Sequence, residues 1–381
     1  MLKLELIFNK TLFRLLSGAL IDGYILNLLL LFLSAYEIYL IDRNIIDKMA
    51  VERCDYIDFL KSIGLLLIIL AHVNPPFIIT QVRCFDVPLM MFASGLAFSG
   101  KEIKGYGDFI KPRTKRLVIP VYVFLFFFFL INYFLDTINF DKTQVLCSFL
   151  LLNTKSIGYV WVIRVFLLLM LLTPLWVKLN NQLNWWKWIG VILLLFLIDE
   201  FVLFLLSYLK NNKLLYYFIY ETVPFAISYS IPFLFGLRMK NVKQSIEGEL
   251  LLIYALFFVS FFMYFIIING PFENLSPKFK YPPRAIFVMY GVMISLLLWY
   301  CRRYLNIIAS LSFVTFYGRH TIWIYLWHIP VVMLVERMNN SWCVDYLIVF
   351  VVSFLLFFIQ YNLVIFVEKY CDFSIFKYLK K

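Results

Sequence analysis

Apolar stretches of roughly 20 residues, the length that a bilayer core demands, recur along this chain from one end to the other. Ten such spans follow from the pattern, at about 57–74, 85–99, 117–135, 157–177, 187–207, 216–237, 250–269, 284–301, 312–335 and 344–367. Only 15% of the residues are charged and 63% are hydrophobic, whereas a soluble globular domain is near 25% charged. An outer-membrane barrel would show short alternating segments instead. The expected fold class is therefore all-α, a polytopic membrane protein of about ten transmembrane helices with an extra N-terminal helix as an option.

The net charge of +12 would suit a nucleic-acid binder, but its placement argues otherwise. With the start of the first span taken as cytoplasmic, the inside segments hold 21 Lys and Arg and the outside loops 9. That asymmetry follows the positive-inside rule and sets the C-terminus in the cytoplasm. The expected division is an N-terminal extension at 1–52, a ten-helix domain at 53–370 and a cytoplasmic tail at 371–381. Residues 24–41 are a further apolar run, either one extra span or, with Lys3, Lys10 and Arg14 alternating with Leu and Phe before it, part of an interfacial segment. Glu37 and the lack of a small-residue cleavage site argue against a removable signal peptide. The six cysteines show no CxxC pair and no zinc spacing. A Cys147–Cys343 disulfide is one option and unpaired cysteines are the other.

Charge inside a bilayer costs at least about 2.5 kcal/mol for Arg, Lys or Asp at a helix centre, so each such residue needs a reason. In KSIGLLLIILAH, Lys61 and His72 are eleven residues apart. At 100° per residue that falls about 20° from three full turns. Both side chains share one helix face, roughly 16 Å apart along the axis. Asp58 lies one turn before Lys61 and can pair with it. Asn74-Pro75-Pro76 then stops the helix. Lys61 reads either as a snorkelling residue or as part of a site. His72 is one of only three histidines, and an imidazole can move a proton near neutral pH.

Further polar residues stand out. The stretch KEIKGYGDFIKPRTKRLVIP, 101–120, places Arg113 and Arg116 three residues apart at the start of the third span, where arginine forks suit phosphates. Part of its charge is an ordinary positive-inside loop. Arg164 is flanked by apolar residues and must face the bundle interior. Asp199, Glu200 and Glu221 are its available partners. YPPR, 281–284, makes a rigid outer rim in which Tyr281 and Arg284 meet either an anionic or sugar ligand or the aromatic belt. YGRHTIWIYLWH, 317–328, sets Arg319, His320, Tyr325 and His328 in or near the ninth span. No HxxE or HxxxH metal spacing occurs, nor any GxSxG, Walker or GxGxxG motif.

Taken together, these stretches resemble the acyltransferase-3 family of integral membrane O-acyltransferases. YIDFLKSIGLLLIILAH is similar to its opening (Asp58, Lys61, His72), and CFDVPLMMFASGLAF to its second segment (Pro88, Ser94, Gly95). KPRTKRLVIP resembles its basic segment (Arg113, Arg116, Pro120), YVWVIRVF its Trp-rich fourth segment with Arg164, and YGRHTIWIYLWH its late segment (Gly318, Thr321, Tyr325, His328). The resemblance covers about residues 53–368. Asp86 departs from it, standing where the family often has histidine, and Lys61 stands where arginine is common.

The resemblance implies transfer of an acyl group, most often acetyl from cytoplasmic acetyl-CoA, to a hydroxyl of a cell-surface or lipid-linked polysaccharide such as O-antigen or capsule. It implies a multi-pass protein of the bacterial inner membrane, with acyl-CoA, the glycan and the bilayer as partners, and neither a metal nor nucleic acid. His72 would be the catalytic residue, either as general base on the acceptor hydroxyl or as an acyl relay. Arg113, Arg116 and Lys61 would bind the cofactor, Asp58, Arg164, Glu221, Tyr325 and His328 would support them, and Tyr281 and Arg284 would form the acceptor rim. Two other classes fit a polytopic chain with intramembrane Arg and His. A transporter or flippase for a lipid-linked sugar or small solute would show broken helices in matching halves. A glycan polymerase would carry a large outer loop. Neither feature is visible in the sequence.

Overall fold

A computed structural model describes residues 55–380 apart from 104, 136–137, 210–212, 270–277, 339 and 371–375. The expectations for the extension at 1–52 fall outside the described residues, as does much of the tail. Among the described residues the regular structure is helical throughout. The elements are α1 (Asp55–Ala71), α2 (Phe77–Val82), α3 (Asp86–Phe98), α4 (Tyr106–Leu135), α5 (Lys142–Phe149), α6 (Trp161–Gln182), α7 (Trp185–Tyr208) and α8 (Lys213–Met239). They continue with α9 (Gln244–Asn269), α10 (Ala285–Tyr300), α11 (Arg302–Ala309), α12 (Ser312–Arg319), α13 (Thr321–Val335), α14 (Trp342–Glu368) and α15 (Phe376–Leu379).

Among the described residues seven stretches, with α2 and α3 taken as one, are long and apolar enough to cross a bilayer alone. The pair α10 and α11, bent by 78°, makes an eighth if counted as a single span. The chain is an all-α polytopic membrane protein. Two expected spans take a different form. The basic stretch at 101–120 is largely helical, because α4 starts at Tyr106 and carries Arg113 and Arg116 on its first turns. Charge marks where a helix leaves the hydrocarbon, not where it ends. The span expected at 312–335 is broken at His320 into α12 and α13. There the His320 ring bonds the Phe316 carbonyl at 2.8 Å. A continuous helix would offer that carbonyl to the His320 N–H, which turns to Tyr317 instead.

α1 stops where the sequence says it must. Asn74 takes a left-handed conformation (φ 49°), which Asn tolerates better than most residues, and two prolines follow. The outer helices show apolar side chains to their surroundings, as lipid-facing helices do. Trp186, Leu197 and Phe201 on α7 and Leu252, Leu256 and Ile267 on α9 are all exposed. The interior is organised around α3, which packs against α8, α1 and α10. Gly95 on α3 and Gly236 on α8 face each other so closely that a methyl group on either would overlap the Phe233 or the Phe92 carbonyl. Without small residues these backbones could not meet. Cys147 and Cys343 are free thiols, so the optional disulfide does not form.

Candidate active site

The N-terminal half of α1 begins the site. Asp58 is buried, and Lys61 Nζ donates to its Oδ1 at 3.1 Å. Arg319, at the end of α12, reaches the other oxygen with Nε at 3.4 Å and Asp55 with Nη2 at 3.4 Å. α12 comes this close because Gly318 has no side chain, and a Cβ there would overlap the Asp58 carbonyl. Ser62 ties the same crossing together, its single hydroxyl proton shared between the carbonyls of Asp58 (3.0 Å) and Val314 (2.9 Å). Lys61 is thus held by a buried carboxylate and does not snorkel freely.

Beside this crossing lies a cavity of about 350 Å³ at the end of the bundle where α1 starts and α3 finishes. Five cations line it: Lys61, Lys101, Arg113, Arg116 and Arg319. None of its lining residues is acidic. Deeper in, Met90, Phe166, Leu169 and Phe233 give it an apolar wall. Arg113 is braced from below, its guanidinium 3.9 Å from the Phe109 ring centroid and donating to the Phe109 carbonyl at 2.8 Å. A rigid guanidinium beside other cations suits a multiply charged phosphate ester. The apolar wall suits the less polar remainder of such a molecule. The residues present therefore fit a coenzyme A thioester. Lys101 and Arg319 join the cavity without having been assigned a role from sequence. Arg319 was visible beside the late motif, while Lys101 looked like one more loop charge.

The other end of α1 carries His72. Its ring lies 4.7 Å from that of Tyr159 and 5.5 Å from that of His328, centroid to centroid. His328 is fully buried on α13. Its Nδ1 meets the Tyr325 carbonyl. A carbonyl only accepts, so Nδ1 is the donor, and in the neutral ring Nε2 keeps its lone pair. That Nε2 is buried without a hydrogen-bond partner. Tyr325 donates to the Tyr159 carbonyl, and the Tyr159 hydroxyl reaches Glu336 at 3.5 Å. Three segments far apart in sequence thus converge on His72. Tyr159 was missed from sequence because one tyrosine among 25 carries no signal. The third histidine, His320, is elsewhere, packed among Phe316, Phe357 and Tyr361.

Around the histidine end the charged side chains find polar partners. Arg164 meets Glu221, which also accepts from the N–H groups of Asn153 (3.0 Å) and Thr154 (2.9 Å) and the Thr154 hydroxyl (2.8 Å). Of the three acidic residues that the sequence offered Arg164, Glu221 is the partner. Asp199 accepts from Ser228 at 2.7 Å. Glu200 takes Arg284 in a fork, at 3.1 and 2.6 Å. Asp86 is fully buried between Arg83 (2.6 Å) and Lys280 (2.9 Å). Tyr281 stacks its ring edge against Trp161 at 5.1 Å. Tyr281 and Arg284 therefore stand on the side of the bundle away from the cationic cavity, Tyr281 packed inward and Arg284 half-exposed at the surface. No group of three or more His, Cys, Asp or Glu side chains among the described residues is placed to hold a metal ion.

A family model described as an acyltransferase domain matches residues 55–361, from the first turn of α1 to the last third of α14. No curated protein and no solved structure matches the chain. The match takes in both ends of α1, the cationic cavity and the His72–His328 pair, and covers most of the chain; the protein belongs to the acyltransferase-3 family of membrane acyltransferases.

Proposed function

We propose that this protein moves an acyl group, most simply acetyl, from cytoplasmic acyl-CoA to a hydroxyl of a cell-surface or lipid-linked polysaccharide. The observation that carries the reading is the two-ended wall of α1. A cavity with five cations and no acidic lining opens beside Lys61. The two neighbouring imidazoles of His72 and His328 lie about 16 Å along the axis, at the rise per residue of a helix. The CoA phosphates would dock on Arg113, Arg116, Lys101, Lys61 and Arg319, and the pantetheine arm would extend along α1 toward His72.

On this reading His72 removes the proton from the acceptor hydroxyl as that oxygen attacks the thioester carbonyl. The C–S bond breaks and the proton passes to the departing CoA thiolate. Tyr159 and His328 fix the His72 ring, and Tyr281 and Arg284 flank the acceptor's approach. The basic face of the bundle would lie in the cytoplasm, as would the C-terminus, with the protein in a bacterial inner membrane. Mass spectrometry of surface glycans from cells with the intact gene, without it, and with His72→Ala tests the proposal. A mass step of one acyl group, present only with the intact gene, is expected. An unchanged acylation pattern in all three, at normal protein levels, would sink it.

A further inference from the structure

A second cavity lies apart from the site just described. It is a groove of about 860 Å³ where α6 ends, α7 begins and α8 turns into α9. Its polar lining comes from Arg238, Lys243, Asn180, Asn181 and Asn241, and no lining residue is acidic. Arg238 is built into place. It donates to the carbonyls of Asn180 and Leu183, both at 3.0 Å. Its guanidinium stacks over Trp185, 4.6 Å from the ring centroid. Asn180 is 4% exposed, and its Oδ1 has no hydrogen-bond partner. A buried amide oxygen that accepts nothing is costly, and the group that satisfies it must be a donor.

The groove continues onto an apolar helix face. Ile246 and Leu250 line it on the α9 side. Ile253 and Phe257 follow at helical spacing on the same face and are exposed. This apolar stripe runs about 16 Å from Ile246 to Phe257 at 1.5 Å per residue. That is about the depth of one leaflet in a core roughly 30 Å thick. Two cations, a buried acceptor and an apolar track leading away from them describe one kind of ligand.

We propose that this groove binds an anionic phospholipid whose headgroup carries hydroxyls, of the phosphatidylglycerol class. The phosphate lies against Arg238 and Lys243, a headgroup hydroxyl donates to Asn180 Oδ1, and an acyl chain follows the α9 stripe. Basic pockets between transmembrane helices recognise lipid headgroups in this way. A free phosphate ester would have no use for the stripe. The bound lipid would clamp the ends of α6 and α8, the two helices that also wall the cationic cavity through Leu169 and Phe233.

The test is native mass spectrometry of the purified full chain, exchanged into micelles holding equal dioleoyl-phosphatidylglycerol and dioleoyl-phosphatidylcholine. Retention of one phosphatidylglycerol per chain, at least about fivefold over phosphatidylcholine, is expected from a basic residue near the headgroup. Lys243→Glu changes an exposed residue and should lower that retention by about fivefold or more. Arg238→Gln should abolish the preference, and Asn180→Leu should reduce it. Equal retention of the two lipids would overturn the proposal. So would undiminished retention in Lys243→Glu. Displacement of the lipid by glycerol 3-phosphate at equal phosphate concentration would also overturn it, by showing a soluble phosphoester site.

Discussion

His72 and His328 bring their rings to 5.5 Å of each other from the first and the thirteenth helices. Of the two, only His72 is partly exposed. His328 is sealed in the core, with its Nδ1 committed to the Tyr325 carbonyl. His72 stands one residue beyond the end of α1, its N–H bonded to the Ile69 carbonyl at 3.0 Å, next to the Asn74-Pro75-Pro76 turn. On the proposed function, this difference in exposure gives the chemistry to His72 and the holding to His328.

His72→Ala and His72→Gln should therefore each lower acyl transfer by about a hundredfold to ten-thousandfold, the range for loss of a general base. His328→Gln should cost less, because an amide can still fill the pocket beside His72. Acceptor-dependent release of CoA thiol from the purified protein measures both. Trapping of a stable acyl-enzyme on wild type would instead make His72 a relay.

Arg113→Ala and Arg116→Ala should act on donor binding. A charge-assisted hydrogen bond is worth about 1.5–3 kcal/mol, so each should raise KM for acyl-CoA by about tenfold to a hundredfold with kcat little changed. The KM difference should shrink with dephospho-CoA thioesters for whichever arginine holds the 3′-phosphate. An unaltered KM in both variants would remove the cavity from the donor site.

Arg164→Ala leaves Glu221 buried and charged, and Glu221→Ala leaves Arg164 so. Breaking a buried pair on one side costs about 3–5 kcal/mol, and the thermal unfolding midpoint of the purified protein should fall clearly in each. The double variant Arg164→Leu with Glu221→Leu should recover much of that loss. Two single variants as stable as wild type would show that the pair does not hold the fold.

Gly318→Ala tests the helix crossing. Its methyl group would overlap the Asp58 carbonyl, so α12 must back away from α1. Overpacking of this kind costs about 1–3 kcal/mol. It should also pull Arg319 off Asp58 and weaken acyl-CoA binding. Gly190→Ala is the control, since nothing lies near a Cβ at that position. Equal effects in the two variants would refute the role of the crossing.

Local features were legible in the chain. Helical spacing put Asp58 beside Lys61 and both on the face of His72, and the charge pattern picked out Arg113 and Arg116. The bilayer's length requirement located most of the spans, though not the break at His320. Each of these depends on residues within a few turns of one another, where 3.6 residues per turn dictates the neighbours. The partners from distant segments were not legible. Nothing in the order of residues says that Arg164 chooses Glu221 over Asp199, that Lys101 and Arg319 complete the ring of cations, or that Tyr159 stands against His72. Those outcomes follow from which helices pack together and at what depth, and that is decided by close approaches such as Gly95 on Gly236 and Gly318 on Asp58. A side chain's periodicity sets the face it occupies, but only the packed bundle sets what that face meets, because interhelical contacts depend on the fit of every surface at once.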